Sequence, residues 1–285
     1  MPALKSVHSL DALGTTWVFE SDKIFSNIFI KGLHDRIFNF ESNFSRFKAD
    51  SLLTKLNNEK YLRDAPDELI SMLQFAREMY VVSEGYFNIS VGSQLEKVGY
   101  GLKADKHARI SGSLLEDLII NGSDVSLSKH TRLDLGGFGK GWLVDSIHDY
   151  FIQCGQTDHI INAGGDIRVG TKKQILYVEN PFNPQEYIEE FSATDSSLAV
   201  SSPLKRSWTH NGTDKNHFIN PIGSTHNTIV QVAVRHQKCV TADVLATLIS
   251  IVPIPLGKRL INTYKAEYLI VHKDSTIVMS PRFKN

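Results

Sequence analysis

Cysteine is nearly missing from this sequence of 285 residues, which holds only Cys154 and Cys239. Two thiols exclude a disulfide framework and any cysteine-rich metal motif, and they suit a reducing compartment. Net charge is also lacking, with 31 Lys and Arg against 31 Asp and Glu. No general attraction to nucleic acid or anionic membrane follows, so an anionic ligand has to be handled locally. Long apolar runs are absent too. The most apolar window, Val244 to Leu256, is too short for a bilayer and is interrupted by Pro253 and Pro255. The first residues, Met1 to Ser6, form no continuous apolar segment and carry no lipid-attachment cysteine, so the expectation is a soluble, cytoplasmic protein. No solenoid period and no low-complexity linker divides the chain. It is long enough to bury most of its apolar surface unaided, and one α+β domain over residues 1–285, with two lobes, is expected.

Periodicity places the elements. Leu13 to Phe19 reads as an opening strand, followed by a long helix with Ile30, Leu33, Ile37, Phe40 and Phe44 on its buried face. Asp64 as cap and Pro66 in the first turn introduce a second helix, which buries Leu69, Met72, Leu73, Ala76 and Met79 and ends at Gly85. Tyr86 to Gly92 leaves it as an extended segment whose aromatics are either core or the flanks of a planar ligand. Two apolar runs around Asn121-Gly122 predict a hairpin over Leu118 to Leu127. His159 to Ile167 reads as a strand broken by Gly164-Gly165, with Asp166 as a possible ligand contact. Short strands are expected at Ile175 to Val178, Leu198 to Ser201, Ile229 to Val234, and Tyr268 to Val271 paired with Thr276 to Met279.

The stretch Leu133 to Asp145 changes character twice: a short apolar strand, alternating glycines, then a helix with Leu143, Ile147, Tyr150 and Phe151 on one face and a stop at Cys154-Gly155. Glycines before a helix start let backbone amides approach an anion such as phosphate. The phosphate-loop signature fails because Gly139-Lys140 is followed by Gly141-Trp142. The dinucleotide fingerprint fails because Gly137, Gly139 and Gly141 have the wrong spacing. A phosphate cradle and plain close packing of strand on helix both remain open.

Thr241 to Thr247 follows a strand and opens a helix, with Thr241 as a candidate cap. Asp243 and Thr247 are one helical turn apart, so both oxygens share a face. Such a pair suits a hard cation like Mg²⁺, which keeps waters and takes further ligands from substrate phosphates; the alternative is an acid favoured by the helix dipole, with the threonine merely packed. His217, at the head of His217 to Gly223, is a candidate general base.

In order along the chain, Leu13-Gly14-Thr15, Phe44-Ser45-Arg46-Phe47, Phe87 to Gly92, Leu133 to Asp145, Ala163-Gly164-Gly165-Asp166, His217 to Gly223 and Thr241 to Thr247 resemble motifs of the ApbE family of FAD:protein FMN transferases. Met279 to Phe283 also looks like the family's end. The resemblance implies an ApbE-like, T-fold-related α+β domain with mixed or antiparallel sheets. It further implies an enzyme that binds FAD, splits its pyrophosphate with Mg²⁺, and transfers FMN to a Thr or Ser hydroxyl of an acceptor flavoprotein, releasing AMP. By family position Asp243 and Thr247 hold the metal through side chains and Gly137 through its carbonyl. Leu13, Phe47, Tyr86, Phe87, Asn88, Asp134 and Lys140 fall at FAD contacts, and His217 falls at the histidine implicated in catalysis. Asn88 stands where the family usually has Asp, Asn220 replaces the Asp before proline, and Ser201-Ser202-Pro203 replaces the commoner Thr-Ser-Gly. The rival expectations are a metal-dependent FAD pyrophosphatase on the same scaffold and a flavin-binding protein without turnover.

Overall fold

The computed structural model describes residues 6–97, 99–100, 113–204, 207–210, 213–216, 222 and 228–284. In chain order the elements are β1 (Ser6–Ala12), β2 (Thr15–Ser21), α1 (Asn27–Phe44), α2 (Leu52–Glu59), β3 (Tyr61–Leu62), α3 (Asp67–Val82), α4 (Gly92–Lys97), α5 (Leu114–Asp117), β4 (Leu118–Asn121) and β5 (Asp124–Leu127). Then come α6 (Gly139–Gln153), β6 (His159–Ala163), β7 (Asp166–Val169), β8 (Gln174–Asn180), β9 (Asn183–Ala193), β10 (Ser197–Ser201), β11 (Ser207–His210) and β12 (Thr213–Asn216). The chain closes with β13 (Ile229–His236), α7 (Cys239–Ile249), α8 (Ile254–Tyr264), β14 (Glu267–His272) and β15 (Ile277–Met279). The mixture of helices and antiparallel sheet matches the expected α+β class. Two compact units result: Met1–Asn39 with Phe138–Leu204 and Asn227–Asn285, and Phe40–Gly137 with Lys205–His226.

The first unit is built on an eight-stranded sheet in the order β1-β2-β6-β7-β10-β13-β14-β15, with every neighbouring pair antiparallel. Most of β13 is buried, as its apolar run requires of a strand covered on both faces. Helices α6 and α7 pack on each other and on β7, with α6 also against β6 and α7 against β10 and β13. The β8–β9 hairpin contributes Leu176, Val178, Phe191 and Ala193 to a core shared with Leu198, Val230, Ala233, Leu269 and Phe283.

Strand β9 went unforeseen, because its alternation is masked by the charged and polar residues of Asn183 to Glu190. Leu13 to Phe19 is not one strand: Leu13 and Gly14, at φ 53° and 71°, are the two turn residues of the β1–β2 hairpin. The handedness suits a tight hairpin, although a leucine there is unusual. His159 to Ile167 is likewise a hairpin, in which Gly164 and Gly165 at φ 70° and 110° reverse the chain.

The second unit holds the small sheet β3-β5-β4, the separate β11–β12 pair, and helices α2 to α5. The hairpin around Asn121-Gly122 forms, with Asn121 facing Asp124 across the turn. Helix α3 buries Leu69, Met72, Leu73, Ala76 and Met79 as its spacing predicts. Its cap differs: Pro66 is the capping residue and makes no side-chain bond, while Asp64 sits at φ 50° and donates its N–H to Asp124 Oδ1 at 3.2 Å. In place of the expected strand at Leu133, an isolated parallel bridge joins Arg132 to Val91. Asn57 binds both backbone groups of Leu133, accepting from its N–H at 2.6 Å and donating to its carbonyl at 2.9 Å, so no strand partner is needed.

Candidate active site

Helix α7 begins two residues before Thr241, so that threonine is inside the helix and caps nothing. The capping residue is Lys238, which makes no side-chain bond to the helix. The N–H groups of the first turn, which have no partner within the helix, are taken instead by Asp145 of α6, whose Oδ1 accepts from Cys239 N–H at 2.9 Å and Oδ2 from Val240 N–H at 3.0 Å. Burial pushes the Asp145 carboxyl above the usual range, against the downward pull of those two donors.

One turn before Asp145, Gly141 meets α7. Its N–H donates to Asp243 Oδ2 at 3.2 Å. A Cβ on Gly141 would lie 2.9 Å from Asp243 Cβ, Cys239 O and Val240 Cα, so only glycine lets the helices close to this distance. Close packing is therefore what this glycine provides. Asp243 is 7% exposed. Thr247, one turn further, is the residue of α7 that is not buried, and its Oγ1 lies 3.3 Å from Ser201 Oγ on β10.

Lys140, in the first turn of α6, forms an ion pair with Asp166, the first residue of β7. Thr15, just past the Leu13–Gly14 turn, sits against Gly164, and Val200 N–H donates to Gly165 O at 3.2 Å. One end of the eight-stranded sheet thus collects Leu13, Lys140, Asp166, Ser201, Asp243 and Thr247. The Cys239 thiol is pushed well up by burial and by the carboxylates of Asp166, Asp145 and Asp243, which keeps it protonated and removes it as a nucleophile.

Among the described residues no group of three or more His, Cys, Asp or Glu is placed to hold a metal ion. The Asp243 and Thr247 oxygens are a hard donor pair that needs its remaining ligands from substrate or water. That fits Mg²⁺ and does not fit a site enclosed wholly by nitrogen or sulfur ligands.

The second unit brings another set together. Asp134, 8% exposed, is ion-paired with the buried Arg46. Arg46 Nη2 also donates to Tyr100 O at 2.8 Å, and the guanidinium lies 4.5 Å from the Phe47 ring centroid. Asp134 Oδ1 accepts Gly136 N–H at 2.8 Å, and its own N–H donates to Ile89 O at 2.7 Å. The Phe87 ring lies 3.6 Å from the Cβ position of Gly137. Phe87 is buried and belongs to the core, whereas Phe47 is half exposed and Tyr86 partly so. Asn88 folds on itself, accepting from Ser90 N–H at 2.9 Å and Ser90 Oγ at 2.7 Å. His217 and Asn220 lie outside the described residues. Arg46 and Asp145 both lie in motifs singled out from the sequence, but the partners they bind, Asp134 and the first turn of α7, were not legible there. Asp145 had a signal in its spacing of one turn from Gly141.

The fold defines an antiparallel α+β protein that sets a carboxylate and a hydroxyl one helical turn apart, at the sheet end that also holds a lysine. More narrowly, the chain belongs to the ApbE family, whose model matches residues 13–270. It is 26% identical over 224 residues to an FAD:protein FMN transferase of Vibrio cholerae, covering 71% of this chain and 67% of that one. It is 25% identical over 199 residues to one of Rhodobacter capsulatus, covering 64% of this chain and 38% of the other, so it matches well under half of that relative's length. In structure it resembles the ApbE protein of Thermotoga maritima with a TM-score of 0.84 over 99% of this chain and 98% of the other, at 20% identity. At that identity the likeness establishes the fold.

Proposed function

We propose that this chain is an FAD:protein FMN transferase, acting as one functional domain over residues 1–285. The observation that carries the reading is the Asp243–Thr247 pair, one turn apart on α7 and set at the sheet end that holds Lys140. Membership of the family and the names of the relatives supply the reaction.

Asp243, Thr247 and the Gly137 carbonyl hold Mg²⁺ in this reading. When bound, the cation offsets charge on the phosphoanhydride oxygens. Lys140, held in the first turn of α6 by its ion pair with Asp166, is a further FAD contact in this reading. Leu13, Phe47, Tyr86, Asn88 and Asp134 contact FAD, with the half-exposed Phe47 ring offering a face to a flat ring system. Phe87, which is largely buried, completes this set of FAD contacts in the proposal. The acceptor's Thr or Ser oxygen bonds to the FMN phosphorus, the bond from that phosphorus to the bridging oxygen breaks, and AMP leaves with the bridging oxygen. The hydroxyl proton passes to His217 as general base.

Among the described residues no helix is long and apolar enough to cross a membrane. The two free thiols suit a reducing compartment, and the acceptor in this reading is a cytoplasmic protein.

Incubation with FAD and Mg²⁺, with and without a co-expressed candidate flavoprotein, tests the reading. AMP with covalent FMN on the acceptor, seen by mass spectrometry, is the expected result. AMP with only free FMN identifies a pyrophosphatase, and intact FAD identifies a binding protein; either would overturn the proposal.

A further inference from the structure

Helix α7 carries both oxygen donors yet has no side chain of its own to finish its first turn. Its N-terminal N–H groups are held by a carboxylate from another helix. Both oxygens of Asp145 are engaged, at 2.9 Å and 3.0 Å, with the consecutive residues Cys239 and Val240. A two-pronged grip on consecutive N–H groups fixes rotation as well as position, which a single bond does not. Asp243 follows less than one turn later. On the other side, Asp243 accepts from Gly141 N–H in the first turn of α6, at 3.2 Å. Each helix thus uses one carboxylate of the other at its N-terminus, and the absent side chain at Gly141 brings the two within reach.

We propose that Asp145 is a positioning residue for the Asp243–Thr247 pair, holding α7 at the rotation in which both oxygens face one ligand. The inference rests on the reading that this pair binds a cation. Asp145 itself touches no ligand in this account: its oxygens are spent on α7, and it is buried between the helices. Its effect on the cation therefore passes through the helix. Loss of such an outer hydrogen-bonding partner weakens metal affinity by about 10–100-fold in other sites.

The test is Mn²⁺ binding in the presence of FAD, followed by loss of the free-ion electron paramagnetic resonance signal, together with the Mg²⁺ concentration giving half-maximal AMP release. Asp145→Ala should weaken Mn²⁺ binding roughly tenfold or more, with the KM for FAD nearly unchanged. Asp145→Asn keeps one accepting oxygen and should fall between that variant and the natural protein, and it serves if the alanine variant fails to fold. A core substitution in the same unit, Phe151→Leu, should lower the melting temperature without moving either metal readout. Asp145 variants that melt lower but bind Mn²⁺ as the natural protein does would show a purely structural role and overturn the inference. Absence of Mn²⁺ binding and of Mg²⁺-dependent turnover in the natural protein would instead bring down the cation reading itself, and this inference with it.

Discussion

Gly141 and Asp243 meet across the α6–α7 interface with a hydrogen bond of 3.2 Å and no space for a side chain on the glycine. Gly141→Ala decides between two opposed effects. Alanine gains about 1 kcal/mol of helix propensity. Overpacking costs about 1–3 kcal/mol, and here the new Cβ strikes the Cys239 carbonyl and the Val240 Cα, backbone atoms that cannot rotate aside. Net destabilisation is expected in urea unfolding, along with a higher Mg²⁺ requirement. A variant as stable as the parent would show that the helices do not pack this closely.

Arg46 and Asp134 form a buried pair in the second unit. Arg46→Ala leaves a carboxylate buried without its counter-charge, a change that costs about 3–5 kcal/mol where measured in other proteins. Chemical denaturation should show a loss of that order, and a loss under about 1 kcal/mol would place the pair effectively in water.

His148, His159 and Arg168 form a single hydrogen-bonded chain. His159 Nδ1 lies 2.7 Å from Gln156 O and must donate, so its Nε2 accepts from His148 Nδ1 at 2.9 Å. His148 Nε2 then accepts from Arg168 Nη2 at 3.2 Å. Both rings are neutral, and neither has an acceptor for a further proton. Burial, with the Arg168 charge next in weight, holds His148 down to about 3, and burial lowers His159 as well. The unfolded chain takes up these protons near 6.5, the ordinary histidine value, while the folded chain does not. Stability is therefore full above that pH and falls as pH drops from 6.5 towards about 3. His148→Gln keeps a donor and an acceptor without titrating, and should flatten the decline in melting temperature between neutral and acid pH. An unchanged slope would assign the acid loss to other groups.

His217→Ala should keep FAD binding and lose transfer by roughly a hundredfold or more, as expected for a missing general base. Fluorescence titration with FAD, set beside acceptor labelling, checks both halves. Normal labelling would remove His217 from the reaction.

Local pattern carried a good part of this structure. The buried face of α3 followed from spacing, the β4–β5 hairpin from the Asn121-Gly122 turn between two apolar runs, and the pairing of β14 with β15 from two short apolar runs. The Asp243–Thr247 pair was legible because one helical turn places both on a face whatever the surroundings. What escaped was set by distant partners. The cap of α7 comes from a residue 94 positions away. The partner of Asp134 is 88 positions away. The backbone of Leu133 is satisfied by a side chain 76 positions away. Periodicity carries no record of such contacts, and a cap assigned from the nearest threonine misses a carboxylate supplied by another helix.

The most direct test of the central claim is a Mg²⁺ titration of FMN transfer by Asp243→Ala beside the natural protein. The account predicts that metal-dependent turnover is lost and that acceptor labelling does not saturate at Mg²⁺ concentrations sufficient for the natural protein. Saturation at those same concentrations would contradict the assignment of Asp243 and Thr247 to the cation.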